Sequence, residues 1–224
     1  MEIESIWDVM RARHSVRHYL DKAIEPELAE RLRTAIAEIN AAEPRVRFEL
    51  VTDEPEAFRA GQPSYGNFRG CRNYIVLCGK RGADEAVGYH GEELVLLAQS
   101  LGLGSCWVAL TFEKDKVTVA PPAGMKLFDL IALGYGEDPG HPHRSKPIIK
   151  LAKITPDTPQ WFEAGMDAAM LAPTAINQQR FFFEQVGERG VKARALLGPC
   201  SKTDLGIVKL HFELGAGKEN FEWK

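Results

Sequence analysis

The amino-acid sequence predicts an α+β fold built from two related halves. Several segments place apolar residues at helical spacing, and the short apolar or alternating segments between them are typical of strands. A helix–strand pattern from the first part of the chain recurs in the last third. With 224 residues, of which 45% are hydrophobic, the chain is long enough for one large domain or two small ones.

The elements of the first half follow from the spacing of their apolar residues. A short amphipathic helix is predicted on the face formed by Ile3, Ile6, Trp7 and Met10. A second helix is predicted over 25–42, with Pro26 near its start, where proline is tolerated. The other elements predicted here are strands at 46–52 and 73–79, a helix at 84–104 ended by glycines, and strands at 105–112 and 127–136.

The last part of the chain contains fewer predicted elements. Residues 137–147 hold three prolines and are predicted to be irregular. A helix at 158–172, a strand at 181–187 and a helix at 204–217 are predicted to follow, with no strand after the last helix. The predicted domain division is therefore 1–154 for the first half and 155–224 for a shorter second half.

The internal repeat relates the helix and strand at 25–52 to those at 158–187. Residues that recur at one constant spacing are Ala37, Arg45, Phe48, Glu49 and Val51, which correspond to Ala172, Arg180, Phe183, Glu184 and Val186. Gly88 and Gly206, in the later helices, correspond only at a different spacing. Two interpretations stay open: coincidence, or a fused pair of related halves with a cleft between them.

Charge and cysteine usage exclude several classes of protein. The chain has 28 basic and 31 acidic residues, so its net charge of −3 gives no overall attraction to nucleic acid or anionic membranes. The N-terminus lacks the features of a signal peptide, and no apolar run is long enough to span a bilayer. The four scattered cysteines predict reduced thiols in a cytoplasmic protein. We expect a small-molecule substrate, and no nucleic-acid or membrane partner.

The segment "RHSVRHY", residues 13–19, concentrates positive charge around a serine. One interpretation is a solvated helix end, and the other is an anion site in which Arg13, Ser15 and Arg17 bind a phosphate. A second cationic pair, Arg144 and Lys146, lies in the proline-bound loop "HPHRSKP" and can converge on the same anion.

The segment "APTAINQQ", residues 172–179, follows a predicted helix that Pro173 ends. Its small and amide side chains contribute little to an apolar core. The segment is either a connecting loop in which Asn177 caps backbone groups, or a surface on which a flat heteroaromatic ring rests. In the second case, backbone amides and the amides of Asn177 and Gln178 bind the heteroatoms of the ring.

Three other patterns do not support a function. "GYGEDPG" has a proline where a dinucleotide-binding loop needs its third glycine, and no helix can start after it. "HPH" at 141–143 lacks a third metal ligand nearby, so no metal site is predicted. Nothing local lowers the pKa of Cys106, so it is not predicted to be a nucleophile.

Four motifs together resemble the nitroreductase family of flavin enzymes. "RHSVRHY" fits the N-terminal R-x-S-x-R-x-[FY] motif of that family, and "APTAINQQ" is similar to its AP-S/T-x-x-N-x-Q loop. "GLGSCW" at 102–107 and "ALGYGEDPGHPHRSKP" at 132–147 are similar to two further motifs. The resemblance implies a nitroreductase-like fold, with a central, mainly antiparallel sheet flanked by helices, and FMN as cofactor.

The order of the motifs departs from ordinary family members. Their proline–asparagine loop follows the first long helix, where this chain has "INAAEPRV" at 39–46, and the loop occurs here in the second repeat. The order resembles a fused, internally duplicated branch of the family, whose halves form a pseudo-dimer. Because family members build each flavin site from two subunits, the resemblance implies one composite FMN site in a monomeric chain.

The resemblance assigns site residues by position. The FMN phosphate and ribityl chain are assigned to Arg13, the backbone of His14, Ser15, Arg17, Arg144 and Lys146, and the flavin ring to Asn67, Trp107, Val108, Ala109, Leu110, Pro173, Thr174, Ala175 and Asn177. Residues 56–70, with Tyr65 and Phe68, are the candidate lid. No ionising side chain is assigned a catalytic role.

The implied function is hydride transfer from NADH or NADPH, through FMN, to an electron-poor acceptor such as a nitroaromatic or a quinone. An alternative is a flavin-binding or regulatory protein of the same fold without catalysis. A third is a family branch that fragments reduced flavin or removes halogens, whose distinguishing loops cannot be identified in this sequence.

Overall fold

The computed structural model describes residues 5–58 and 67–224. The helices are α1 (Ile6–Ala12), α2 (Pro26–Ala42), α3 (Asp84–Ser100), α4 (Gln160–Ala169) and α5 (Ser201–Ala216). The strands are β1 (Val46–Val51), β2 (Asn73–Lys80), β3 (Gly104–Val108), β4 (Met125–Gly134), β5 (Phe181–Val186), β6 (Gly190–Ala195) and β7 (Glu222–Trp223). Every helix and strand predicted above has a counterpart among these elements; Ile3 and Tyr65 lie outside the described residues.

The first sheet is antiparallel throughout, with strand order β1-β2-β4-β3. β2 reads "NYIVLCGK" and is buried on both faces up to its last residue, because helices cover one face and extended segments cover the other. Leu77 belongs to the helix-covered face and Val76 to the opposite one. The predicted fold class, an antiparallel sheet flanked by helices, is confirmed.

The second sheet is smaller and has the order β5-β6-β7. β5 and β6 are antiparallel, and β7 adds to β6 in parallel. β6 was not predicted, although Lys192 and Arg194 alternate with apolar residues as in a half-exposed strand. The expectation that no strand follows the last helix was wrong, because the two-residue β7 follows α5.

Helices α3 and α5 cross at two glycines, and this crossing joins the two parts of the molecule. A Cβ atom at Gly88 would lie 1.9 Å from the backbone oxygen of Thr203, and one at Gly206 would lie 1.9 Å from that of Glu85. Each of these two oxygens belongs to the residue one helical turn before the opposite glycine. Only glycine allows the two backbones to approach this closely.

The two halves also share an order of elements. α2, β1, β2 and α3 run in the same order as α4, β5, β6 and α5, and both strand pairs are antiparallel. Leu151 and Ala152, just before the predicted boundary at 154, are already buried in the core of the second half. The duplication and the domain division stay predictions. Among the described residues, no helix has the length and apolar character required to cross a membrane.

Candidate functional site

A cavity of about 1010 Å³ opens between the two parts of the molecule. Its walls come from the segment after α1, the end of β3, the turn at 138–143, the loop at 173–177 and the first turns of α5. The predicted site residues that line it are Arg13, Ser15, Arg17, Asn67, Trp107, Val108, Ala109, Leu110, Pro173, Thr174, Ala175 and Asn177. His14, Arg144 and Lys146 do not.

The segment 13–19 is extended rather than a solvated helix end. α1 ends at Ala12, and the next residues attach to the edge of the first sheet: the Val16 amide donates to Ser105 O at 2.9 Å. Alternate residues of an extended segment face the same side. Arg13, Ser15 and Arg17 therefore share the cavity side, whereas the His14 side chain packs against the turn at Gly140.

Arg13 is the most buried cation of the site, with 4% of its surface exposed. Its Nε lies 3.9 Å from Glu92 Oε1, outside hydrogen-bond distance, and has no hydrogen-bond partner. Burial lowers the pKa of this guanidinium from its ordinary value, and the Glu92 carboxylate opposes the shift. The cavity wall therefore holds a buried donor that no described residue satisfies.

Glu92 is fully buried and connects the cavity to α5. Trp107 Nε1 donates to Glu92 Oε2 at 2.8 Å, and His211 Nε2 lies 2.9 Å from Oε1. His211 Nδ1 lies 3.2 Å from Ala168 O, which can only accept, so Nδ1 carries a hydrogen. Both ring nitrogens of His211 therefore have an oxygen partner, one on α4 and one on α3.

The loop at 172–179 has an unusual backbone that its polar contacts stabilise. Ile176, Asn177 and Gln179 have φ angles of 47°, 54° and 45°, which non-glycine residues rarely adopt. The Ala175 amide and Gln178 Nε2 donate to the two carboxylate oxygens of Asp204 at 2.9 and 2.8 Å. The loop is thereby fixed to the first turn of α5.

Arg144 and Lys146 hold this loop from behind instead of reaching the cavity. Lys146 Nζ donates to Gln178 O at 2.6 Å and to Gln179 O at 3.3 Å. Arg144 O accepts from Asn177 Nδ2 at 2.9 Å and from Gln179 Nε2 at 3.0 Å. The placement does not support the predicted phosphate contacts of Arg144 and Lys146; it gives both residues a role in shaping the loop. The Asn177 amide, predicted to bind a ring, is likewise engaged with the protein.

The strand predicted to run to residue 112 ends at Val108, where the chain leaves the sheet to form the cavity rim. Leu110 follows on this rim and is 82% exposed. Asn67 and Phe68 also line the cavity, and the Phe68 ring centroid lies 5.1 Å from that of Phe58. Most of the candidate lid, residues 59–66 with Tyr65, lies outside the described residues.

Two carboxyl groups in the cavity wall were missed by the sequence analysis. The pKa of Asp129 is raised to about 7. Burial is the main cause, and the charge of Asp204 contributes to the shift. Burial also raises the pKa of Asp204 to about 6, although hydrogen bonds from Ala175 and Gln178 oppose this shift. Asp129 lies inside an apolar strand and Asp204 at a helix start, so neither carried a sequence signal.

Asp129→Asn is expected to change how stability depends on pH. Folded Asp129 keeps its proton up to about pH 7, whereas the unfolded residue loses it near its ordinary pKa of 3.8. Wild-type stability therefore falls as pH rises between these values. At pH 8 the variant should be more stable by about 4 kcal/mol, because the two pKa values of Asp129 differ by about three units and each unit is worth about 1.4 kcal/mol. Urea denaturation of both proteins at pH 5 and pH 8 measures the difference in stability. The control is Asp138→Asn, which changes an exposed carboxylate and should leave the pH dependence of stability unchanged.

No group of histidine, cysteine, aspartate and glutamate side chains in the described part of the chain could hold a metal ion. All four cysteines are free thiols, as predicted. Burial raises the pKa of Cys106, so its thiol is not activated.

Comparison with solved structures identifies proteins with a similar fold. A "putative nitroreductase" from Thermotoga maritima is 18% identical, with a TM-score of 0.69 over 98% of this chain and 87% of that one. A "putative nitroreductase in complex with FMN" from Desulfovibrio desulfuricans is 22% identical, with a TM-score of 0.50 over 66% of this chain and 94% of that one. A "putative NADH dehydrogenase/NAD(P)H nitroreductase" from Parabacteroides distasonis is 23% identical, with a TM-score of 0.51 over 65% and 95%.

No curated protein matches the chain, whereas one family model does. The family model described as "Putative TM nitroreductase" matches residues 5–216. Because this match covers nearly the whole chain, the protein belongs to that nitroreductase family.

Proposed function

We propose that the chain binds one FMN in the described cavity and transfers hydride from NADH or NADPH to an electron-poor acceptor. One observation carries the proposal. The cavity brings Arg13, Ser15 and Arg17 from the first half together with the 173–177 loop from the second half. The sequence predicts an anion site in the first segment and a surface for a flat ring in the second, and FMN carries both a phosphate and a flat ring.

The residues of the cavity fit FMN. Its volume of about 1010 Å³ is at the upper end of the roughly 300–1,000 Å³ typical of small-molecule sites. Arg13 Nε is buried and has no hydrogen-bond partner, as expected of a donor kept for a ligand. The small side chains of Pro173, Thr174 and Ala175 line the cavity and leave room for a flat ring.

Each wall of the cavity has a separate role in this proposal. Arg13 and Arg17 bind the phosphate through charged hydrogen bonds, and the Ser15 hydroxyl adds a neutral donor. Lys146 and Asp204 fix the 172–179 loop, so that the ring rests on a backbone that does not move when it binds. Bound FMN supplies the hydride chemistry, and the protein supplies position and electrostatics.

The composite site extends the proposal to the assembly of the chain. The Desulfovibrio and Parabacteroides proteins align over nearly their full lengths but cover only about two thirds of this chain. Within this chain the 173–177 loop and α5 follow the segments that hold Arg13 and Trp107, and α5 crosses α3. We expect a monomer with one FMN, formed by fusion of two related halves that act as a pseudo-dimer.

Stopped-flow reduction of the FMN-loaded protein tests the catalytic part of the proposal. The expected result is rapid loss of the flavin absorbance on mixing with NADH or NADPH, and its recovery on adding a nitroaromatic or a quinone. If both nicotinamides fail at millimolar concentration while dithionite reduces the flavin, the reductase function is contradicted. The chain is then a flavin-binding protein without this activity.

Arg17→Ala is expected to weaken FMN by roughly 1.5–3 kcal/mol, the scale of a hydrogen bond to a charged group. Riboflavin, which lacks the phosphate, should bind the variant and the wild type equally. Fluorescence titration of the flavin-free protein measures both constants. Arg11→Ala, which removes an exposed arginine from α1, is the matched control and should not change FMN binding. An equal loss of riboflavin affinity would contradict the phosphate role.

A further inference from the structure

One wall of the cavity carries negative charge that the proposed FMN contacts do not use. Asp129 is 6% exposed and borders the cavity, together with Asp204. No hydrogen bond or ion pair of the described residues involves the Asp129 carboxyl. Asp204, in contrast, is 2% exposed and accepts from the Ala175 amide and Gln178 Nε2.

The Asp129 residue is nine-tenths buried, but its carboxyl oxygens are open to the cavity rather than sealed within the protein. Burial raises the pKa of Asp129, and Asp204 raises it further, so the two carboxyl groups lie within electrostatic reach of each other. Lys126 opposes this shift but forms no ion pair with either carboxyl, and its side chain lies over the Phe128 ring. Asp84 also raises the pKa of Asp129, and no described lysine or arginine forms an ion pair with the two carboxyl groups, which leaves them available to a bound cation.

The cavity therefore has two differently charged regions. Arg13 and Arg17 attract an anion, whereas Asp129 and Asp204 attract a cation or a strong hydrogen-bond donor. Neither carboxyl forms an ion pair with a described lysine or arginine, so the acidic region is not neutralised by the cationic one. A ligand that carries N–H donors and positive charge complements the acidic region best.

We propose that Asp129 and Asp204 form a subsite that selects aromatic electron acceptors bearing an amidinium, guanidinium or ammonium group. The inference deepens the proposed function by naming the class of acceptor. A planar amidinium offers two N–H donors, which match the geometry of a carboxylate. The positive charge also offsets the desolvation of Asp129. Acceptors with a carboxylate in the same position are repelled.

Direct binding of three matched probes tests the subsite. The probes are 4-nitrobenzamidine, 4-nitrobenzamide and 4-nitrobenzoate, which share one electron-poor ring and differ in charge. Calorimetric titration of the full chain at pH 8, with and without FMN, should give a Kd at least tenfold lower for the amidine than for the amide. The benzoate should bind more weakly than the amide.

Variants then assign the preference to the carboxyl pair. Asp129→Asn should bring the amidine and amide constants within twofold of each other. Asp138→Asn removes a carboxylate from the exposed part of the same cavity and should keep the preference. Equal binding of amidine and amide by the wild type contradicts the proposal, and so does an equal loss in the two variants.

The flavin-free arm separates this inference from the proposed function. A preference for the amidine without any reduction of FMN would keep the subsite and overturn the reductase. If added FMN abolishes the preference, the acid pair faces the flavin, and the acceptor subsite is contradicted.

Discussion

Glu92→Ala is expected to lower the free energy of unfolding by about 3–5 kcal/mol, because it leaves buried charge without a partner. Glu92 is 0% exposed and accepts from Trp107 Nε1, and it also contacts His211 Nε2 and approaches Arg13 Nε. Its removal takes away the carboxylate that Trp107 Nε1, His211 Nε2 and Arg13 Nε share. Arg13 and Trp107 line the cavity, so FMN binding should also weaken.

Glu93→Ala is the matched control for this prediction. Glu93 is the next residue of α3 and pairs with His90 at 2.7 Å, but its side chain is 38% exposed. Partly exposed pairs contribute about 0–1 kcal/mol, so this variant should lose no more than that. Urea denaturation of both variants at one pH compares them. Losses of similar size would mean that the buried network does not stabilise the fold.

Gly206→Ala is expected to destabilise the protein by about 3 kcal/mol, through overpacking at the crossing of α3 and α5. The new Cβ would lie 1.9 Å from Glu85 O and 2.6 Å from the Tyr89 nitrogen. Both contacts are with backbone, so the helices themselves must separate. Because α5 also lines the cavity through Thr203, Asp204 and Ile207, flavin retention should fall together with stability.

The sign of this effect makes the test decisive. Glycine to alanine in a helix interior without a close contact stabilises by about 1 kcal/mol. A rise in the denaturation midpoint of Gly206→Ala would therefore contradict the close crossing. Lys202→Ala, an exposed change in the first turn of the same helix, should stay within about 0.5 kcal/mol of the wild type.

The parts of the site that the sequence predicted are two segments whose own residues form a distinctive pattern. In "RHSVRHY" the two arginines and the serine stand at alternate positions, and in the extended segment that the structure shows they line one cavity. The proline and small residues of "APTAINQQ" likewise indicated a loop with exposed backbone. Helices and strands with strong apolar periodicity were predicted to within a few residues, whereas the short β6, whose apolar residues are small, was not.

The parts that the sequence could not predict depend on tertiary contacts. Arg144 and Lys146 carry charge suited to a phosphate, but the fold places their loop behind residues 172–179, where Lys146 contacts backbone oxygens. Asp129 and Glu92 each occur within apolar elements, and only the packing of α3, α5 and β4 shows that they face the cavity and its network. Their burial, not their local sequence, makes them candidates for function.

The central claim is that one chain carries one complete flavin site made from both of its halves. Sedimentation of the FMN-loaded protein, recorded at protein and flavin wavelengths, tests it directly. Denaturation of the same sample gives the number of flavins released per chain. We predict that the flavin sediments with a monomer of 24.9 kDa at one FMN per chain. Flavin found only on dimers, two flavins per chain, or no affinity for added FMN would contradict the claim.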